Sequence, residues 1–205
     1  MKETGIIMTG DHPKLILDNS KTMTRRTRGL KEINENPDGY DYPMVYKGVS
    51  GDWWVWFHQK DSDTPMIIKC PYGGVDDRLW VRETWWRDQS GGCWGYKAED
   101  REWPPTNCGG KAMSSMFMPR WASRLTLEIM VLRVERLQEI TEEDAEAEGE
   151  SWSGAGDGEN YDVYSAVENY AHLWDSLNAK RGYGWDKNPW VWVISFRRLT
   201  LGDDR

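Results

Sequence analysis

The chain has 205 residues, with 26 Lys and Arg against 34 Asp and Glu and a formal net charge of −8. That length suits one domain with generous loops and a proper core, and the lack of any run of 18 apolar residues excludes a membrane-spanning helix. The charge is uneven: ten Asp and Glu and no Lys or Arg fall within 139–162, and outside that block 26 basic residues face 24 acidic ones.

A broad nonspecific nucleic-acid surface wants a strongly basic face, which this balance does not supply; a small anionic or polar ligand in a local basic pocket is compatible with it. Cys70, Cys93 and Cys108 form no C-x-x-C pair and have no histidine cluster nearby. They read as free thiols of a reducing cytoplasm, and argue against a zinc site or a disulfide framework. The opening MKETGIIMTGDH is too polar for a signal peptide.

Residues 5–9 predict a short strand. Asp11 and Pro13 open a helix that ends at Asn19 and Ser20. KTMTRR, 21–26, can run extended. Residues 28–66 carry turn signals around WWVWF and read as an insertion holding a hairpin, followed by a strand at MIIKC, 66–70. In DRLWVRETW, 77–85, Leu79 and Val81 point one way and Arg78, Trp80 and Arg82 the other. Residues 86–117, rich in Gly, Pro and Trp, read as a second long loop with a short strand at 94–98.

The stretch 118–149 is the centre of the chain. Leu125, Leu127, Ile129 and Val131 alternate with Thr126, Glu128, Met130 and Leu132, as a strand at the wall of a core should. A second extended piece follows at Leu132–Leu137. Thr141 then suits an N-cap, with Glu142, Glu143 and Asp144 favoured by the helix dipole. Residues 151–160 read as a Gly/Ser linker. Val163, Ala166, Val167, Tyr170, Leu173, Trp174 and Leu177 mark one face of a helix of about four turns. WVWVISFRR, 190–198, reads as a strand buried on both faces. The pattern predicts an α+β domain spanning 1–205 around a mostly antiparallel β-barrel.

Fourteen tryptophans are a heavy load. Those in Gly- and Pro-containing stretches (Trp53, Trp54, Trp94, Trp103) are read as anchors pinning loops, with stacking on bases as the alternative.

KTMTRR sets a lysine, two threonines and two arginines within six positions. A lysine whose pKa is lowered by burial or neighbouring cations serves as a general base, and a hydroxyl beside it as a nucleophile. A solvated basic strand is the competing reading. Lys21 and Thr24 differ by three, so a flat strand sends them to opposite faces, and they converge only if the chain bends at 21–23. The acidic helix is by default a solvated face, with Glu148, beside Gly149, the carboxylate best placed to turn inward.

KTMTRR, DRLWVRETW, MPRWASRLTLEI, VERLQEITEEDAEAEG, LWDSLNAKRG and NPWVWVISFRR, in that order, resemble the ASCH-domain proteins encoded by phages and prophages. The resemblance runs from about residue 12 to 199 and skips the two insertions, at about 28–66 and 86–117. It implies a PUA-like barrel with flanking helices, a cleft at one end, and binding of RNA or a nucleobase. Within that family, small amidohydrolases release the acyl group of N(4)-acetylcytidine. On their pattern Lys21 is the base, Thr24 the nucleophile, Glu148 the proton carrier for the leaving amine, and Arg26 helps to orient the substrate. Arg78, Trp80, Arg82 and Arg120 are expected to bind substrate beside it. The implied partner is a nucleoside or nucleobase, with RNA as the alternative for a non-catalytic reader; no cofactor, metal or membrane is implied.

Overall fold

The run WVWVISFRR has no polar face to offer solvent, so it requires cover on both sides. In the computed structural model, which describes residues 1–87, 94–98, 111–157 and 160–200, it is the strand around which the layers form. The elements run β1 (Glu3–Ile7), α1 (His12–Leu17), β2 (Met23–Arg26), α2 (Lys31–Glu35), β3 (Tyr40–Lys47), β4 (Trp53–Gln59), β5 (Ser62–Lys69) and β6 (Arg78–Arg82). They continue with β7 (Trp85–Arg87), β8 (Trp94–Tyr96), β9 (Lys111–Met113), β10 (Thr126–Arg136), α3 (Glu142–Ala147), β11 (Ser153–Asp157), β12 (Asn160–Tyr164), α4 (Ala166–Asn178) and β13 (Trp190–Arg198).

Five strands form the main sheet in the order β1-β6-β10-β13-β2. β1 runs parallel to β6, and the other neighbours are antiparallel. Trp192, Ile194 and Phe196 of β13 enter one apolar cluster with Leu79, Leu127 and Ile129, which is closed from outside by Val55 and Phe57 of β4. Val191 and Val193 point to the opposite face, where Ala145 of α3 and Ala166, Tyr170 and Trp174 of α4 cover them. The central strand is thus buried on both sides, as expected. The α+β class and the antiparallel bias hold as well. Among the described strands the sheet does not close into a barrel: β1 and β2 are its two edges.

Four local readings change. Residues 28–66 hold more than a hairpin, because α2 precedes a three-stranded sheet, β3-β4-β5, that takes in MIIK as its third strand. The alternation of Val55 and Phe57, both fully buried, explains why this insertion packs as a layer of the core. The two extended pieces at 125–137 are one strand with a bulge between Ile129 and Val131. That extra residue flips the phase, so Val131 is 45% exposed and Leu132 is buried. The 151–160 linker contains most of the β11–β12 hairpin. Val163 lies in β12 rather than on the helix, which starts only at the Ser165–Glu168 capping box.

In 86–117, the strand expected at 94–98 is β8, paired to β7 beside β9. Trp103, Cys93 and Cys108 lie outside the described residues. Trp53 packs against the main core as an anchor. Trp94 is half exposed and meets Trp121 edge to face.

Candidate functional site

A cavity of about 420 Å³ opens where the edges β1 and β2 face each other. Gly5, Ile6 and Ile7 form one wall and Thr24, Arg25 and Arg26 the other, with Tyr170, Leu173, Trp174 and Leu177 of α4 across the mouth. Arg26 spans the two edges, donating from Nη2 to the carbonyl of Ile7 at 3.0 Å. Thr24 and Glu148 both line the cavity.

The bend required of residues 21–23 comes from the end of α1. Asn19 takes a left-handed conformation, φ 59°, and the amides of Ser20 and Lys21 both donate to the carbonyl of Leu15. Lys21 therefore precedes β2 instead of lying in it, and its side chain is free of the strand's alternation. The amide of Thr22 then donates to the carbonyl of Ala147, which docks this segment on the C-terminus of α3. Thr141 caps α3 as expected, accepting from the Asp144 amide, and Glu148 is the C-cap. Gly149 follows at φ +96°, where a Cβ would stand 2.7 Å from Leu15 Cδ1 and 3.6 Å from Lys21 Cβ.

Lys21 Nζ donates to Glu148 Oε2 and to the Glu148 carbonyl, each at 2.6 Å. Lys21 is 1% exposed and Glu148 3%. Lys21 itself is not part of the cavity wall; it reaches the cavity through Glu148. Burial pushes the lysine pKa below its ordinary value, Glu148 pulls it back up, and Arg26 pushes it down again, with burial dominant.

Sequence reasoning gave no role to two further groups that hold Glu148. The Tyr170 hydroxyl donates to Glu148 Oε1 at 3.4 Å, and Arg25 Nη1 approaches the same oxygen at 3.5 Å. Arg25 is itself buried and anchored on Glu135 at 2.6 Å and on Asp144, and both of those acids also bind Arg133. Burial and the charge of Glu148 raise the Tyr170 pKa well above the usual phenol value, so it acts as a neutral donor. Tyr170 falls on the apolar stripe of α4, where periodicity marks it as core. Arg25 lies inside KTMTRR, the one signal that pointed to it.

His12 also lines the cavity. Burial, together with Lys21 and Arg26, lowers its pKa to about 3 and keeps the ring neutral.

Of the expected substrate-binding side chains, Arg26 and Arg82 line this cavity and Arg78 and Arg120 do not. Arg78 shares a face with Arg82, but four residues along a strand amount to about 13 Å. It borders a second cavity, of about 400 Å³, with Arg120, Arg124 and Arg198. Arg120 is bound there to Glu3 at 3.0 Å. Trp80 is not in the cavity wall either; it carries the Arg82 guanidinium 5.5 Å from its ring centroid and packs beneath Gly5.

Among the described residues no group of His, Cys, Asp and Glu has the arrangement of a metal site, and no helix is long and apolar enough to cross a membrane. No protein-family model, curated protein or solved structure matches the chain. What the arrangement offers chemically is a hydroxyl and a carboxylate on one cavity wall, a buried amine behind the carboxylate, and guanidinium groups around them.

Proposed function

We propose that the chain is an amidohydrolase that deacylates N(4)-acylated cytosine nucleosides or a related modified base, on the pattern of the PUA-like ASCH proteins it resembles. The observation that carries this reading is the buried Lys21–Glu148 pair beside a cavity wall that includes Thr24. Burial enriches the neutral form of Lys21, which an exposed lysine scarcely populates at neutral pH.

In this reaction Thr24 Oγ1 attacks the acyl carbonyl carbon, and its proton passes to the Lys21–Glu148 pair. The oxyanion that develops is met by a guanidinium N–H, for which Arg26, two residues along the same strand from Thr24 and in the cavity wall, is a candidate. Glu148 protonates N4 as the carbon–nitrogen bond breaks, and free cytidine leaves. Water then attacks the threonine ester, releasing the carboxylic acid and restoring the hydroxyl.

One observation favours a second reading. Lys21 stands behind Glu148 rather than on the wall, so the pair also suits a structural clasp in a protein that binds a modified base or RNA without altering it. Incubation with N(4)-acetylcytidine, followed as the ultraviolet change to cytidine, separates the two. The enzyme reading expects conversion that is lost in Thr24→Ala. Binding without conversion at any pH from acid to alkaline ends it in favour of the reader.

A further inference from the structure

The charge inventory of the cavity is unbalanced. Glu148 is the one carboxylate on its described wall, and Lys21 meets it. The charge of Arg25 is met by Glu135 and Asp144. Four more guanidinium groups, those of Arg26, Arg28, Arg82 and Arg181, line the same cavity. Among the described residues none of these four forms an ion pair with a carboxylate.

The deeper two are the informative ones. Arg26 Nε and Arg82 Nε are buried and have no hydrogen-bond acceptor. A buried N–H of a charged group left unsatisfied is costly, so both guanidinium groups keep hydrogen-bonding capacity that the protein itself does not use. Arg28 and Arg181 are exposed. The opposite wall is apolar, formed by Leu173, Trp174 and Leu177. One cavity of mononucleotide size thus carries excess positive charge at its base and rim and an apolar surface across from it.

We infer that the ligand of this cavity is an anion, a nucleoside 5′-monophosphate, whose phosphate is taken by Arg26 and Arg82 while the base lies against the α4 wall. A planar guanidinium offers two parallel N–H groups to a phosphate, which suits an arginine better than any other side chain for this role. The inference rests on the deacylase reading only for the identity of the base; the anion preference stands on the arginines alone.

Calorimetric titration of the whole protein with cytidine, cytidine 5′-monophosphate and inorganic phosphate tests it. The monophosphate is expected to bind on the order of ten- to a hundredfold more tightly than cytidine, as charge-assisted hydrogen bonds predict. Inorganic phosphate should compete weakly, and added salt should narrow the gap. Arg82→Gln should remove most of the preference, and Arg28→Gln, at an exposed position, should reduce it. Equal affinity for cytidine and its monophosphate overturns the inference. So does a preference that persists unchanged in both variants, and if Arg82→Gln does not fold, Arg28→Gln decides.

Turnover keeps the two conclusions apart. Tight monophosphate binding without release of acyl groups from either N(4)-acetylcytidine or its 5′-phosphate refutes the deacylase and leaves the anion pocket standing. Equal deacylation of both, with equal affinity, does the reverse.

Discussion

Lys21 and Glu148 lie 127 positions apart in the chain and are joined by two hydrogen bonds of 2.6 Å, both made by one ammonium group. Each residue is almost wholly removed from solvent. A cleft lysine and a helix-end glutamate are, from sequence, expected to weigh little on stability. Their burial reverses that expectation. Removing Lys21 leaves the buried Glu148 charge with only the longer contacts to Arg25 and Tyr170, at a cost of up to about 3–5 kcal/mol. Lys21→Met should therefore lower the free energy of unfolding in urea by that order. The double variant Lys21→Met with Glu148→Leu should recover a large part of the loss, giving a clear coupling energy in the double-mutant cycle.

The proposed catalytic role has a different signature. Glu148→Gln keeps the shape and accepts a hydrogen bond from Lys21, but it cannot carry a proton. If Glu148 protonates the leaving amine, kcat for N(4)-acetylcytidine should fall roughly 10²–10⁴-fold while KM changes little. A drop in affinity with unchanged kcat would assign Glu148 to binding.

His12 supplies a pH dependence whose sign can be worked out. In the unfolded chain the imidazole takes up a proton near its model value of 6.5, whereas in the fold it stays neutral down to about 3. Across that window the unfolded state binds more protons, so this residue makes stability fall as pH drops from 6.5 towards 3. Each unit of difference corresponds to about 1.4 kcal/mol. Unfolding of His12→Asn at about pH 4 and pH 7 should show a smaller difference between the two than the wild type does, by roughly 1–4 kcal/mol.

The bulge in β10 gives a prediction opposite to simple alternation. Val131, outside the core by that phase shift, should tolerate replacement by Ser with a change within about 0.5 kcal/mol. Leu132→Ala should cost about 2–5 kcal/mol, since it empties a buried site. Alternation counted from Leu125 predicts the reverse, and urea unfolding of the two variants distinguishes them.

These contrasts show how far the residues themselves carry the structure. WVWVISFRR announced a strand covered on both faces because its apolar run leaves no alternative, and Thr141 announced a helix start because a capping hydroxyl has a local partner. Both depend on neighbours in sequence. The bulge at Ile129–Val131 was illegible because it is fixed by the register with β13, some 65 positions away. Within the site, KTMTRR pointed to Lys21 and Thr24, the helix to Glu148, and Arg26 came only with the resemblance read in the sequence. Tyr170 was hidden because a phenol on an apolar stripe looks like any other core residue until its hydroxyl finds an acceptor. Arg78 was grouped with Arg82 because alternation reports which face a side chain takes and says nothing of how far along the strand it lies.

The strand order has a consequence for how the protein comes into being. β2, which carries Thr24 and Arg26, has β13 as its neighbour in the main sheet. On a ribosome the N-terminal segment emerges long before Trp190–Arg198, so it waits through most of synthesis without the strand it must pair with. Assembly of the cavity is then a late event that joins distant parts of the chain, and such pairings are slow. A nascent chain halted before Trp190 should leave its KTMTRR segment accessible to protease.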